Sequence, residues 1–249
     1  MFDRCPKCDH APLPADQSSP AECPACGVIL AKVAQARAGE PARSPAPAPA
    51  RDERDSWLWH VPEQVDATAW IVRVALLAGF AVWGVVLWRL DYRDGEMNQS
   101  FIHAPLLVFH EAGHVIFRPL GEWMTVLGGS LFQVLFPAIL AFALLWKNRD
   151  PFGASIGLWL VGISIMDVSA YMYDALDPQL TLLGGGTGND SFHDWIWLFD
   201  SMHVLQRAQR IGAFFHASGT GVVLLALAWG AAVLRLQKRR VAASVLVER

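Results

Sequence analysis

The chain has 249 residues, 53% of them hydrophobic and 17% charged, with a formal net charge of -3. So large an apolar share with so few charges exceeds what a soluble globule carries, so a purely soluble enzyme is not expected. Nor is a nucleic-acid-binding protein, because phosphate contacts need a basic surplus that this chain lacks.

Four zones follow one another. Residues 1–31 hold all four cysteines, as Cys5-Pro-Lys-Cys8 and Cys23-Pro-Ala-Cys26-Gly27, with 14 residues between the pairs. A Cys-x-x-Cys turn aims two thiolates at one ion, and two such turns complete a closed tetrahedral site of the structural kind. The segment resembles the short zinc ribbons at the ends of many microbial proteins. That resemblance implies bound structural zinc and contact with a protein partner, not catalysis.

Residues 32–66 form a Pro/Ala-rich tether, including PARSPAPAPARDERD, whose composition favours extended polyproline II over a packed core. Trp57, Trp59 and His60 near its end suit an interfacial anchor, since amphipathic rings settle at headgroup depth. No apolar run of a secretory signal opens the sequence.

Residues 67–236 read as a membrane domain, and residues 237–249 as a basic tail. A bilayer core takes about 20 apolar residues as helix. Five stretches come close: Ala67–Leu90, Phe101–Leu120, Met124–Trp146, Phe152–Leu176 and Ile211–Leu236. The expected fold is therefore an all-α polytopic membrane protein with a small N-terminal zinc ribbon. Lys238, Arg239 and Arg240 put the C-terminus in the cytoplasm by the positive-inside rule, and reduced metal-binding cysteines put the N-terminus there too. Five full spans cannot place both ends on one side. Either one segment is re-entrant, around Gly128 and Gly129, or one side assignment fails. The expected location is a prokaryotic inner membrane with the ribbon cytoplasmic and lipids as neighbours.

The second stretch carries His110-Glu111-Ala112-Gly113-His114. On a helix, positions i and i+4 lie one above the other, so both imidazoles reach a single zinc while Glu111 sits beside them as general base. Ionisable groups inside an apolar span are expensive and mark function by default. This helix resembles the active-site helix of the site-2 protease family of membrane-embedded zinc metallopeptidases. The resemblance implies that His110 and His114 bind catalytic zinc, that Glu111 is the base, and that the substrate is a membrane protein. That family takes its third ligand from a Leu-Asp-Gly motif in a later span, and this sequence has no such tripeptide.

Two places offer a third ligand. In the fourth stretch Ser164, Asp167, Tyr171 and Asp174, at spacings of 3, 4 and 3, share one helical face. Beyond it, after the run Gly184-Gly185-Gly186-Thr187-Gly188, stands His193-Asp194-Trp195. The glycines let that segment fold back over the metal, and Ser191 suits the cap of a helix starting near Phe192. His193 is the expected third ligand, with Asp174, Asp167 and Asp194 as alternatives. His103, seven residues before His110, lies on a similar face and lines the cavity in this reading. Trp195, Ile196, Leu198, Phe199 and Met202 recur at helical spacing, for a helix along the interface or under the bundle.

The expected activity is hydrolysis of a peptide bond in or near the membrane. Two rivals stand beside it: a non-catalytic, zinc-stabilised membrane protein whose ribbon recruits a partner, and a zinc-dependent hydrolase of a lipid or small molecule.

Overall fold

The computed structural model describes residues 2–39, 57–62 and 65–247. Of the tether expected over residues 32–66, residues 40–56 and 63–64 lie outside the described residues, and residues 32–39 are helical and not extended. The chain divides into two compact units, Met1–Asp52 and Glu53–Arg249. Among the described residues there is no strand, only an isolated antiparallel bridge between Glu22 and Ile29.

The first unit is built on two matching turns. Cys5 N–H donates to the His10 carbonyl and Asp9 N–H to the Cys5 carbonyl; in the second turn Cys23 N–H donates to Val28 and Gly27 N–H to Cys23. In each, the residue after the second cysteine takes a left-handed conformation, Asp9 at φ 58° and Gly27 at φ 68°. Glycine is the residue that adopts it freely, and aspartate is among the few others that do so readily. Helix α1, Leu30–Gly39, follows, and its buried Leu30 packs on Cys5 and Cys23.

The second unit is a helical bundle. Helix α2 spans Ala67–Trp88 and is capped by Asp66, whose carboxylate accepts from Ala69 N–H at 2.8 Å. Helix α3 is His103–Phe117, α4 is Glu122–Trp146 and α5 is Pro151–Asp174. Asp150 caps α5 ahead of a proline at its first turn, where the missing N–H costs nothing. Short α6, Asp194–Ser201, precedes α7, Ala208–Val247.

Among the described residues four helices are long and apolar enough to cross a membrane: α2, α4, α5 and the segment Leu205–Val241 that contains most of α7. The second expected span is not one of them. Helix α3 has 15 residues, about 22 Å at 1.5 Å per residue, against a hydrocarbon core of about 30 Å. Pro119 and Gly121, at φ 95°, end it in a 3-10 turn and start the return into α4. Nor does the chain re-enter at Gly128 and Gly129, which lie inside the unbroken helix α4.

The short helix begins at mid-depth. Ile102 and Leu106 pack with Trp159, Ile163 and Met166 in the middle of α5. From there α3 runs antiparallel to α4, with Gly113 so close to Gly128 that a Cβ on it would overlap the Gly128 carbonyl oxygen. The four long helices therefore alternate in direction, and α2 starts at the same end of the bundle at which α7 finishes. Trp70 Nε1–H donates to the Leu234 carbonyl at 3.0 Å, Trp57 meets Trp146 edge-on with ring centroids 4.0 Å apart, and Trp229 Nε1–H donates to the Leu58 carbonyl there.

Helix α5 is the central one, with Trp159, Ile163, Met166, Asp167 and Ala170 buried. Its closest neighbour is α7, where Gly162 and Gly219 let the backbones touch: a Cβ on Gly219 would stand 2.7 Å from the Gly162 carbonyl oxygen. Small residues at such crossings are what membrane helices use in place of a hydrophobic driving force. Ile71, Val72, Leu76, Val82, Val85 and Val86 on α2 and Ile139, Leu140 and Phe142 on α4 are exposed, forming an apolar outer surface suited to lipid.

Candidate metal centres

The four cysteine sulfurs lie within 4.8 Å of one another, with Cys5 Sγ 3.6 Å from Cys26 and Cys8 Sγ 3.7 Å from Cys23. Sulfurs bound at about 2.3 Å around a tetrahedral ion stand about 3.8 Å apart, so the cluster has the dimensions of a four-thiolate site. Burial works against ionisation of Cys5, but hydrogen bonds from the backbone amides of Lys7 and Cys8 hold its thiol down at about 6. Cys8 moves the other way: the His10 amide favours its thiolate but is outweighed by the sulfurs of Cys26, Cys5 and Cys23, which push it up to about 12. The thiolate is the form that binds metal.

The second cluster sits where α3, α4, α5 and α6 meet. His110 Nε2 is 2.9 Å and His114 Nε2 3.3 Å from the same oxygen, Oδ2 of Asp194. A carboxylate oxygen of Glu111 lies within 4.8 Å of the ligating atoms of both histidines. The Glu111 carboxylate makes no hydrogen bond to another described residue, and this exposed side chain borders a cavity of about 840 Å³. His103, Asn98, Gln133 and Tyr171 also line that cavity, together with Leu180, Leu182 and Leu183 of the loop after α5. The two loops that wall it meet at Gly95, at φ 73°, where a Cβ would overlap the Leu180 side chain.

The partners of the two rings determine their protons. His114 Nδ1 lies 2.8 Å from the Thr125 carbonyl oxygen, which can only accept, so Nδ1 carries the hydrogen and the neutral ring presents a lone pair at Nε2. His110 Nδ1 faces Gln133 Oε1 at 3.1 Å, while the other end of that amide, Nε2, donates to Asp167 Oδ2 at 2.7 Å. His110 thus also donates from Nδ1. Two imidazole lone pairs and a carboxylate oxygen then converge with no hydrogen between them. Such a set of acceptors holds together around a cation, or around protons added to the rings or to the carboxylate; a single divalent ion satisfies all three at once. Ligands at about 2.0–2.2 Å around a tetrahedral ion stand about 3.3 Å apart, close to the spacing seen here.

Glycine makes room for the cluster. A Cβ on Gly129 of α4 would fall 2.6 Å from the Nε2 atoms of both His110 and His114, so any side chain there would displace the two rings.

The geometry distributes the remaining residues differently from expectation. His193 is turned away: its Nε2 pairs with Asp174 Oδ2 at 3.2 Å, its Nδ1 accepts from Ile196 N–H at 3.3 Å, and its side chain is fully buried. Both ring nitrogens are spent, one on capping α6, so the cap is His193 rather than Ser191 and the helix opens at Asp194. Asp174 also accepts the N–H groups of Gln179 and Leu180, which closes the chain after α5. Asp167 pairs with His103 Nδ1 at 2.9 Å and with Gln133. Tyr171 hydroxyl accepts from Asp194 N–H at 3.1 Å, and Trp195 Nε1–H donates to Ser130, fixing α6 under the bundle. Buried Trp195, Leu198 and Phe199 add their apolar faces to Val126, Val168 and Met172. Thr125, Gly129 and Gln133 were not anticipated. Gln133, a long polar side chain in the middle of an apolar stretch, carried a readable signal; the other two did not.

No protein-family profile, curated protein or solved structure matches the chain. Its chemistry is therefore read from its residues and their geometry.

Proposed function

We propose that the second unit is a membrane-embedded zinc hydrolase of the site-2 protease kind, in which His110, His114 and Asp194 hold the ion and Glu111 is the general base. The observation that carries this reading is the convergence of three acceptor atoms on one point, with an unpartnered carboxylate beside them on a cavity. Zinc bound there supplies a Lewis acid that brings the pKa of water toward 7 and polarises a carbonyl group. Glu111 takes the proton from the attacking water on its carboxylate and passes it to the leaving amine nitrogen. Thr125 and Gln133 hold the two rings with their lone pairs inward, and Tyr171 holds the backbone of Asp194. A peptide substrate would enter in extended form, because its scissile carbonyl is inaccessible in an intact helix.

The non-catalytic rival is disfavoured by Glu111 itself. Its carboxylate is exposed on the cavity beside the two histidines and not tied into the network that His110, Gln133 and Asp167 form, which suits a proton carrier better than a bundle-holding group. We assign zinc to the four cysteines as well, since soft thiolates select it. Basic residues occur at both ends of the bundle, Lys147, Arg149 and Lys238–Arg240 at one and Arg89, Arg93, Arg207 and Arg210 at the other. The proposed side assignment therefore rests on the cysteines alone: four metal-binding thiols need a reducing compartment, so we assign the N-terminal unit to the cytoplasm, with a prokaryotic inner membrane and a protein partner as part of the same proposal.

The test compares wild type with Glu111→Gln in cells that express each at equal level. New peptide termini in membrane proteins, found by mass spectrometry with the wild type and lost with Glu111→Gln while zinc content is unchanged, support the peptidase. Identical termini in the two samples contradict it, and a lipid product present only with the wild type would move the reading to a lipid hydrolase.

A further inference from the structure

The amide of Gln133 connects the histidine site to a buried carboxylate that lies outside it. Gln133 and Asp167 are both buried, at 2% exposure each, in the middle of α4 and α5. A glutamine amide presents an oxygen or a nitrogen depending on a half-turn about its last bond, and the two ends differ only in what they bind. If the nitrogen faced His110 Nδ1, that ring would have to accept there and carry its hydrogen on Nε2, the atom that faces Asp194. The site would then lose one of its three lone pairs. Asp167 removes the choice: its carboxylate only accepts, so the nitrogen end of Gln133 is drawn to it at 2.7 Å and the oxygen end is left for His110 at 3.1 Å.

We infer that Gln133 and Asp167 are a pair of positioning residues that set the tautomer of His110 and thereby make its Nε2 a ligand. The inference rests on the metal-centre reading given above. His103 completes the arrangement, because its Nδ1 fills the other side of Asp167, at 2.9 Å from Oδ1 and 3.0 Å from Oδ2. Neither Gln133 nor Asp167 belongs to the His-Glu-x-x-His motif, and the two act on the ion only through His110. Outer partners of ligating histidines typically change metal affinity by about 10–100-fold.

The pairing makes an exchange possible. In Asp167→Asn with Gln133→Glu the carboxylate moves to α4 and the amide to α5. The carboxylate now on α4 accepts from His110 Nδ1 and from the amide nitrogen now on α5, whose oxygen still accepts from His103. Every polar atom stays satisfied and the His110 tautomer is kept. Gln133→Met preserves the volume but leaves Nδ1 with no acceptor.

The experiment follows zinc per full-length chain in detergent against increasing chelator. The wild type should lose its two ions in separate steps. Gln133→Met should lose the membrane ion at about 10–100-fold lower chelator while the cysteine ion is unmoved, and the exchanged double variant should return to within a few-fold of wild type. A structural role for Gln133 alone would not be rescued by moving the charge to the other helix. Gln133→Met with unchanged chelator dependence overturns the inference, as does failure of a folded double variant to recover zinc. A wild-type chain that holds only the cysteine ion overturns the metal-centre reading itself, and the inference with it.

Discussion

At the scale of single residues, the site depends as much on what is missing as on what is present. Gly129 contributes no side chain, and its missing Cβ is the space into which His110 and His114 point. Gly129→Ala should therefore abolish zinc binding at the histidine site while circular dichroism shows an unchanged helical content. Retention of both ions by that variant would contradict the placement of the ion between α3 and α4. The same scale explains which residues the sequence revealed. His110, Glu111 and His114 could be read from spacing alone, because a helix turns i and i+4 to the same side. The third partner could not. His193 and Asp194 are adjacent, and which of them faces the cluster is decided by the start of α6: His193 takes the capping position, where its ring is used up, and Asp194, in the first turn, is directed at the histidines. Sequence neighbours on either side of a helix start point in different directions, and no periodicity reports which.

At the scale of elements, hydropathy identified the five longer helices of the bundle but misjudged the length of two: α7 continues through Val247, taking in most of the expected basic tail after Leu236, and α3 is shorter than expected. The stretch Phe101–Leu120 is apolar enough to be counted as a span, yet His103–Phe117 is all that is helical, because Pro119 and Gly121 stop it and the preceding loop packs inward on α5. The shortfall has a consequence for the site. A helix that starts at mid-depth opens the space between the loops before α3 and after α5, and this space is the cavity that Glu111 borders. Packing of the long helices depends on the Gly162–Gly219 crossing. Gly219→Val should destabilise the bundle by about 1–3 kcal/mol, the cost of overpacking, seen as a lower midpoint of thermal unfolding in detergent. Gly221→Ala is the control on the same helix: nothing lies within 4 Å of a Cβ at that position. It should leave the midpoint unchanged or raise it, since alanine favours helix over glycine by about 1 kcal/mol. Equal effects from the two substitutions would show that the crossing is not a tight one.

At the scale of the whole molecule, one chain carries two clusters of opposite character that could hold a metal ion. The cysteine cluster gathers four sulfurs around one point; the histidine cluster, in the proposed function, uses His110, His114 and Asp194 and leaves one side to a cavity. Closed sites stabilise and open ones react. Four alternating long helices also remove a conflict that five spans created, because the membrane unit now begins and ends at the same end of the bundle. In the proposed function Asp194, not His193, completes the histidine site. The most direct test is the zinc content of the purified full-length chain for wild type, Asp194→Ala and His193→Ala. Wild type and His193→Ala should each hold about two ions per chain and Asp194→Ala about one. That assignment is contradicted if Asp194→Ala keeps both ions, or if a folded His193→Ala loses one.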